Sequence, residues 1–115
     1  MTSPITTHVL DTSRGKPAAG VPVTLDFEET PGNWLSLGKG STDADGRIRD
    51  LLPAQTPLAA GTYRLTFETE AYFTRTGTDG FYPLVPILFR LTDPDQHYHV
   101  PLLLNPFGYS TYRGS

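Results

Sequence analysis

The feature that most limits what this chain can fold into is a set of short segments in which apolar and polar residues alternate, each cut off by glycine or proline. Val21, Val23, Leu25 and Phe27 alternate with Pro22, Thr24, Asp26 and Glu28. Tyr63, Leu65 and Phe67 alternate with Arg64, Thr66 and Glu68, and Val85, Ile87, Phe89 and Leu91 share one face within residues 81–92. A period of two sends successive side chains to opposite faces, so each segment reads as a strand with one apolar face toward a core. Ile5, Thr7 and Val9 oppose Thr6, His8 and Leu10 in an N-terminal strand. Residues 34–39, with Trp34 packing, residues 98–104 and residues 107–112 read as further strands, and Arg47 opens another short one.

The punctuation between them is turn chemistry. Thr30-Pro31-Gly32-Asn33, Asp43-Ala44-Asp45-Gly46 and Asp93-Pro94-Asp95 carry the residues that preset or tolerate turn dihedrals. The eleven glycines and eleven prolines are scattered and not periodic. Residues 51–60 read as irregular, and residues 70–75 are the one good helix candidate. Seven or eight short strands at regular intervals predict an all-β fold, an antiparallel β-sandwich with one short helix, forming a single domain over residues 1–115. The outward positions Pro86, Leu88 and Phe107 are more apolar than a lone monomer needs, which points to an oligomer that covers them.

Several function classes drop out. With no cysteine, a thiol nucleophile, a disulfide or a thiolate metal site is excluded. The net charge is −3 and no basic stripe exists, which argues against nucleic acid as a partner. No apolar run approaches the ~20 residues that cross a bilayer. The stretch from Met1 through Thr2 to His8 lacks the basic start and apolar run of a secretory signal, so a cytoplasmic location is expected. A chain from which a leader had been removed would look the same.

Three histidines remain as candidates for chemistry. His97 and His99 lie two apart, which places them on one strand face about 7 Å apart along the backbone. With His8 they invite a zinc reading, although an H-x-H pair also occurs by chance on exposed strands. His97 follows the Asp93-Pro94-Asp95 turn and suits a surface position. His99 shares its face with Pro101 and Leu103 and is flanked by Tyr98 and Val100, so a half-buried, hydrogen-bonded role suits it better. Arg47, taken alone, reads as an exposed arginine after a turn. Asp43-x-Asp45 is not a calcium loop, because Ala54 stands where the bidentate glutamate belongs. Residues 32–39 are not a phosphate loop, because Gly40 stands where Ser or Thr should follow the lysine. No G-x-S-x-G elbow is present; Ser115, at the end of the sequence, is the one hydroxyl with an unusual address. A hydrolase built from these residues would use water activated by a histidine.

Ile5-Thr6-Thr7-His8-Val9-Leu10-Asp11 with Gly15-Lys16-Pro17-Ala18, then Thr42-Asp43-Ala44-Asp45-Gly46-Arg47, then residues 98–104 followed by Pro106-Phe107-Gly108-Tyr109-Ser110-Thr111-Tyr112-Arg113-Gly114-Ser115, resemble the three signatures of the transthyretin-like family. The terminal Tyr-Arg-Gly-Ser resembles that of the 5-hydroxyisourate hydrolase branch, as distinct from the hormone carriers. The resemblance implies a transthyretin-like (prealbumin-like) eight-stranded sandwich assembled as a homotetramer, a dimer of dimers, with sites in the channel where dimers meet. It also implies hydrolysis of the cyclic amide of 5-hydroxyisourate with no metal or organic cofactor. The family's site positions fall on His8, Arg47 and His99, and its terminal tetrapeptide on Tyr112, Arg113, Gly114 and Ser115. His97 is not among them, which removes the zinc reading. Asn105 departs from the serine common at its position.

On that basis His99 is expected to be the base and Arg47 to hold the oxyanion, with His8 orienting water or protonating the leaving group and Ser115 bonding substrate or water. Tyr112, Arg113 and Gly114 are expected to bind substrate or to clamp the segment that does. Two rival classes are a small-molecule or thyroid-hormone carrier of the transthyretin type and a structural sandwich with no chemistry.

Overall fold

The computed structural model describes residues 3–115; Met1 and Thr2, which open the stretch inspected for a secretory signal, lie outside the described residues. The alternating segments become strands β1 (Ile5–Asp11), β3 (Pro22–Thr30), β4 (Asn33–Ser41), β6 (Gly61–Phe67), β7 (Val85–Leu91), β8 (Tyr98–Asn105) and β9 (Gly108–Thr111). Two strands of two residues each, β2 (Lys16–Pro17) and β5 (Arg47–Ile48), lie against β1. The short helix α1 spans Thr69–Arg75.

Two sheets face each other. One runs β2-β1-β8-β9, with β5 sharing an edge of β1; the other runs β4-β3-β6-β7. The apolar faces read from the sequence meet between them: Ile5, Val9, Val23, Leu25, Leu65, Phe67, Val85, Leu91, Leu102 and Leu104 are all buried. Burying a side chain of this size stabilises the fold by about 1.5–3 kcal/mol. Tyr72 and Phe73 of α1 join the core at one end, and the Tyr72 hydroxyl donates to the buried Asp11 carboxylate at 2.7 Å.

Three features differ from the pattern reading. The pairing of β1 with β8 is parallel, whereas every other strand pair is antiparallel. Trp34 lies outside the core, where the Arg64 guanidinium stacks over its ring at 4.1 Å. The same arginine pairs with Asp26 at 3.1 Å, so this carboxylate is covered although alternation turns it outward. The outward apolar residues are as expected: Leu88 is 59% exposed and Phe107 is 73% exposed. Among the described residues no helix is long and apolar enough to cross a membrane.

Candidate active site

The site lies on the outer face of the β2-β1-β8-β9 sheet, and the parallel pair creates it. In that pair Thr6 stands opposite His99, and His8 opposite Pro101. Ile5, Thr7 and Val9 point into the sandwich, so Thr6 and His8 point out of it. In β8, Tyr98, Val100, Leu102 and Leu104 are buried, which turns His99 to the same outer side as Thr6.

Arg47 reaches this face through its turn. Gly46 has φ 76°, a left-handed conformation that glycine adopts at little cost, and a Cβ there would collide with the Val9 carbonyl of β1. Oδ1 of Asp43 accepts the backbone N–H groups of Asp45 at 2.9 Å and Arg47 at 3.0 Å. Arg49 pairs with Oδ2 of the same carboxylate at 3.5 Å. The turn therefore presses β5 onto β1, with Arg47 directly opposite His8.

The C-terminal tail arrives from the other side. The Gly114 N–H donates to the His99 carbonyl at 2.8 Å in an isolated antiparallel bridge. Arg113 anchors this arrangement: its guanidinium donates to Gln96 Oε1 at 2.7 Å and lies over the Tyr98 ring at 4.6 Å. Gly114 fits because it has no side chain. A Cβ there would sit 2.6 Å from Cδ2 of His99 and 3.2 Å from Cγ of Pro101. Gly114→Ala must push either the imidazole or the tail aside. It is expected to lower kcat/KM about tenfold or more, since small misplacements of reacting groups are costly. The melting temperature should stay near wild type, because the tail lies outside the core. Unchanged steady-state kinetics would show that the tail does not fix the ring.

The result is an open concavity of about 290 Å³ lined by Thr6, Thr7, Arg47, Arg49, His97, His99 and Ser115. Arg47, His99 and Ser115 thus come together as the sequence suggested. His8 lies beside them on the same face without lining the concavity. Tyr112 and Arg113 line a separate, mostly apolar pocket of about 210 Å³ with Ile87, Phe89, Tyr98 and Val100. Asn105 is occupied locally: its Oδ1 accepts the Phe107 N–H at 2.9 Å and closes the β8–β9 turn.

His97 is the residue that sequence reasoning discarded and the structure brings to the site. Its Nε2 lies 3.0 Å from the Thr6 hydroxyl, which also lies 2.8 Å from Nδ1 of His99. The spacing of two in the H-x-H pair was the available signal, and Thr6 was its missing third member. Among the described residues no group of three His, Cys, Asp or Glu side chains is arranged to hold a metal ion.

The His99 imidazole has its pKa pushed below the ordinary 6.5. Burial is the largest cause, followed by the charges of His8, His97 and Arg47. A neutral, half-buried imidazole with one nitrogen held by a hydroxyl is a proton acceptor at neutral pH. The guanidinium groups beside it stay charged and can hold an oxyanion.

The profile of the family described as HIUase/Transthyretin matches residues 5–114. The chain belongs to this family. It is 48% identical over 115 residues to the 5-hydroxyisourate hydrolase of Mus musculus, covering 98% of this chain and 96% of the relative. Among solved structures it superposes on the 5-hydroxyisourate hydrolase of Klebsiella pneumoniae with TM-score 0.82 at 42% identity, covering 96% of this chain and 98% of that one. It also superposes on a sea bream transthyretin in complex with thyroxine, with TM-score 0.88 at 34% identity, covering 96% and 94%. This member of the HIUase/Transthyretin family therefore shares its backbone with a hydrolase and a thyroxine-bound transthyretin alike.

Proposed function

We propose that the chain is a hydrolase that opens the cyclic amide of 5-hydroxyisourate, giving 2-oxo-4-hydroxy-4-carboxy-5-ureidoimidazoline in urate degradation. Fold alone does not separate enzyme from carrier, because one scaffold hosts both. The observation that carries the reading is the lining of the concavity. A site for a large aromatic ligand is mostly apolar. This one presents imidazole, guanidinium and hydroxyl groups from Thr6, Arg47, Arg49, His97, His99 and Ser115. The higher identity to the hydrolases than to the thyroxine-bound transthyretin supports the same choice.

In this reading His99 takes a proton from water as the water oxygen attacks the amide carbonyl carbon. Arg47 stabilises the negative charge that develops on the carbonyl oxygen. Collapse of the tetrahedral intermediate breaks the C–N bond, and the leaving nitrogen takes up a proton from the imidazolium or from His8. The acyl carbon leaves as a carboxylate. Ser115 hydrogen-bonds substrate or water, and Tyr112, Arg113 and Gly114 serve substrate binding by holding the tail that carries it. The chemistry uses no metal or organic cofactor. The working form is a homotetramer, a dimer of dimers, supported by the exposed Leu88 and Phe107 and by the open edge strands β7 and β9.

The deciding experiment follows the ultraviolet decay of freshly generated 5-hydroxyisourate with and without the protein. A rate well above the spontaneous one is expected; no added rate, together with tight thyroxine binding, would assign the chain to the carriers instead. The pH profile supplies a second check. His99 must be neutral to act as base and its pKa lies below 6.5, so the acid limb of kcat/KM should fall below pH 6.5. The sign for stability is the same. As pH falls from 6.5 toward the folded-state value, the unfolded imidazole protonates first, and this site's contribution to folding is lost. An acid limb above 6.5 would remove His99 as the base.

A further inference from the structure

One hydroxyl stands between two imidazoles. Oγ1 of Thr6 is 2.8 Å from Nδ1 of His99 and 3.0 Å from Nε2 of His97. A threonine hydroxyl has a single proton to donate, and it can accept while donating. If it donates to one ring it accepts from the N–H of the other, so the row of three groups has two polarities. In the first, Thr6 donates to Nδ1 of His99. The neutral ring then carries its proton on Nε2, the nitrogen left for the concavity, and has no lone pair there. In the second, Nδ1–H of His99 donates to Thr6, and Thr6 donates to Nε2 of His97. Nε2 of His99 is then an open lone pair.

The surroundings favour the second polarity. Arg47 and Arg49 line the same concavity and are permanent cations, which attract a lone pair and repel an N–H facing them. Thr6 is held by the β1–β8 register opposite His99, with its hydroxyl between the two rings, so both imidazoles depend on this one group. We propose that Thr6 and His97 are positioning residues for the hydrolysis: the row His99 Nδ1–H to Thr6 Oγ1–H to His97 Nε2 holds His99 in the tautomer whose Nε2 takes the proton of the attacking water. The inference rests on the reading of His99 as base. It assigns His97 an effect on the reaction without contact with the reacting atoms. The tautomer of one ring is set by the partner of its other nitrogen, and here that partner is itself oriented by a second histidine.

The test reads the tautomer directly, through the imidazole nitrogen shifts of uniformly 15N-labelled protein, with His99 assigned by loss of its signals in His99→Gln. The wild type should show protonated Nδ1 and free Nε2 at His99, the reverse of what an imidazole free in water prefers. Thr6→Val keeps shape and removes the hydroxyl. It should return His99 to a mixed tautomer and lower kcat about tenfold or more with KM within about twofold, the scale of one lost hydrogen bond to a reacting group. His97→Phe should do the same, and Thr6→Ser should restore both tautomer and kcat. A fully active His99→Gln overturns the base assignment and this inference with it. An inactive His99→Gln beside a Thr6→Val with wild-type tautomer and kcat overturns this inference alone, as does a wild-type His99 protonated on Nε2.

Discussion

Replacing His99 by alanine is expected to lower kcat/KM by about 10²–10⁴-fold, the usual worth of a positioned general base. The ring lies on the outer face of its sheet, while Tyr98 and Val100 on either side fill the core. The variant should therefore fold and unfold as the wild type does, apart from the acid-sensitive part that the imidazole contributes. Loss of the ring also leaves the Thr6 hydroxyl with His97 alone and Gly114 without the surface it packs on. Rates measured across substrate concentration separate these effects. A base is missed in kcat, whereas a displaced tail is felt in KM as well. Retention of more than about a tenth of wild-type kcat would lie outside the range for a general base.

Arg47→Gln should cost about 10²–10³-fold in kcat, the scale of one lost oxyanion donor. The turn survives the change, because Asp43 holds the backbone N–H of residue 47 and not its side chain. Arg49 provides the internal control. It lines the same concavity but is about half exposed and paired with Asp43 at 3.5 Å. Arg49→Gln should have a much smaller effect. The Arg47 cation also lowers the pKa of His99, so its removal must move the acid limb of the pH profile upward. An Arg47→Gln enzyme with reduced kcat and an unmoved acid limb would place the cation too far from His99 to influence it. Equal losses in the two variants would mean that charge in the concavity matters and position does not.

Much of this was legible in the sequence, and the parts that were not share physical causes. Alternation located β1, β3, β6 and β7 because each has one face against the core, and the turn glycine at 46 announced where Arg47 would emerge. The helix read at residues 70–75 forms as Thr69–Arg75, with Tyr72 and Phe73 on its buried side. β2 and β5 are two residues long, too short for any period to show; the turn before Arg47 signalled β5, nothing signalled β2, and both lie along one edge of β1. The parallel direction of the β1–β8 pair leaves no mark on alternation, which says which face is apolar and not which strand lies alongside. That blind spot explains His97. In its local sequence it reads as a polar residue after a turn, just ahead of β8. Its partner, Thr6, is 91 residues away in sequence, and only the register of the parallel pair brings the two together. The surroundings of Trp34 and Asp26 were illegible for a related reason: Arg64 of β6 reaches across β3 to stack on the Trp34 ring and pairs with Asp26.

The union of β1 with β8 also sets when activity can appear during synthesis. Contacts across 93 residues, such as that of Thr6 with His99, close a large loop and reward the chain late. A nascent polypeptide on the ribosome can pair β3, β4 and β6 among themselves while β1 still waits for its neighbour. Until β8 emerges, the long edge of β1 is open and neither His97 nor His99 stands beside Thr6. Premature termination between β7 and residue 98 thus yields a half-built sandwich with an adhesive border, not a weakly active enzyme.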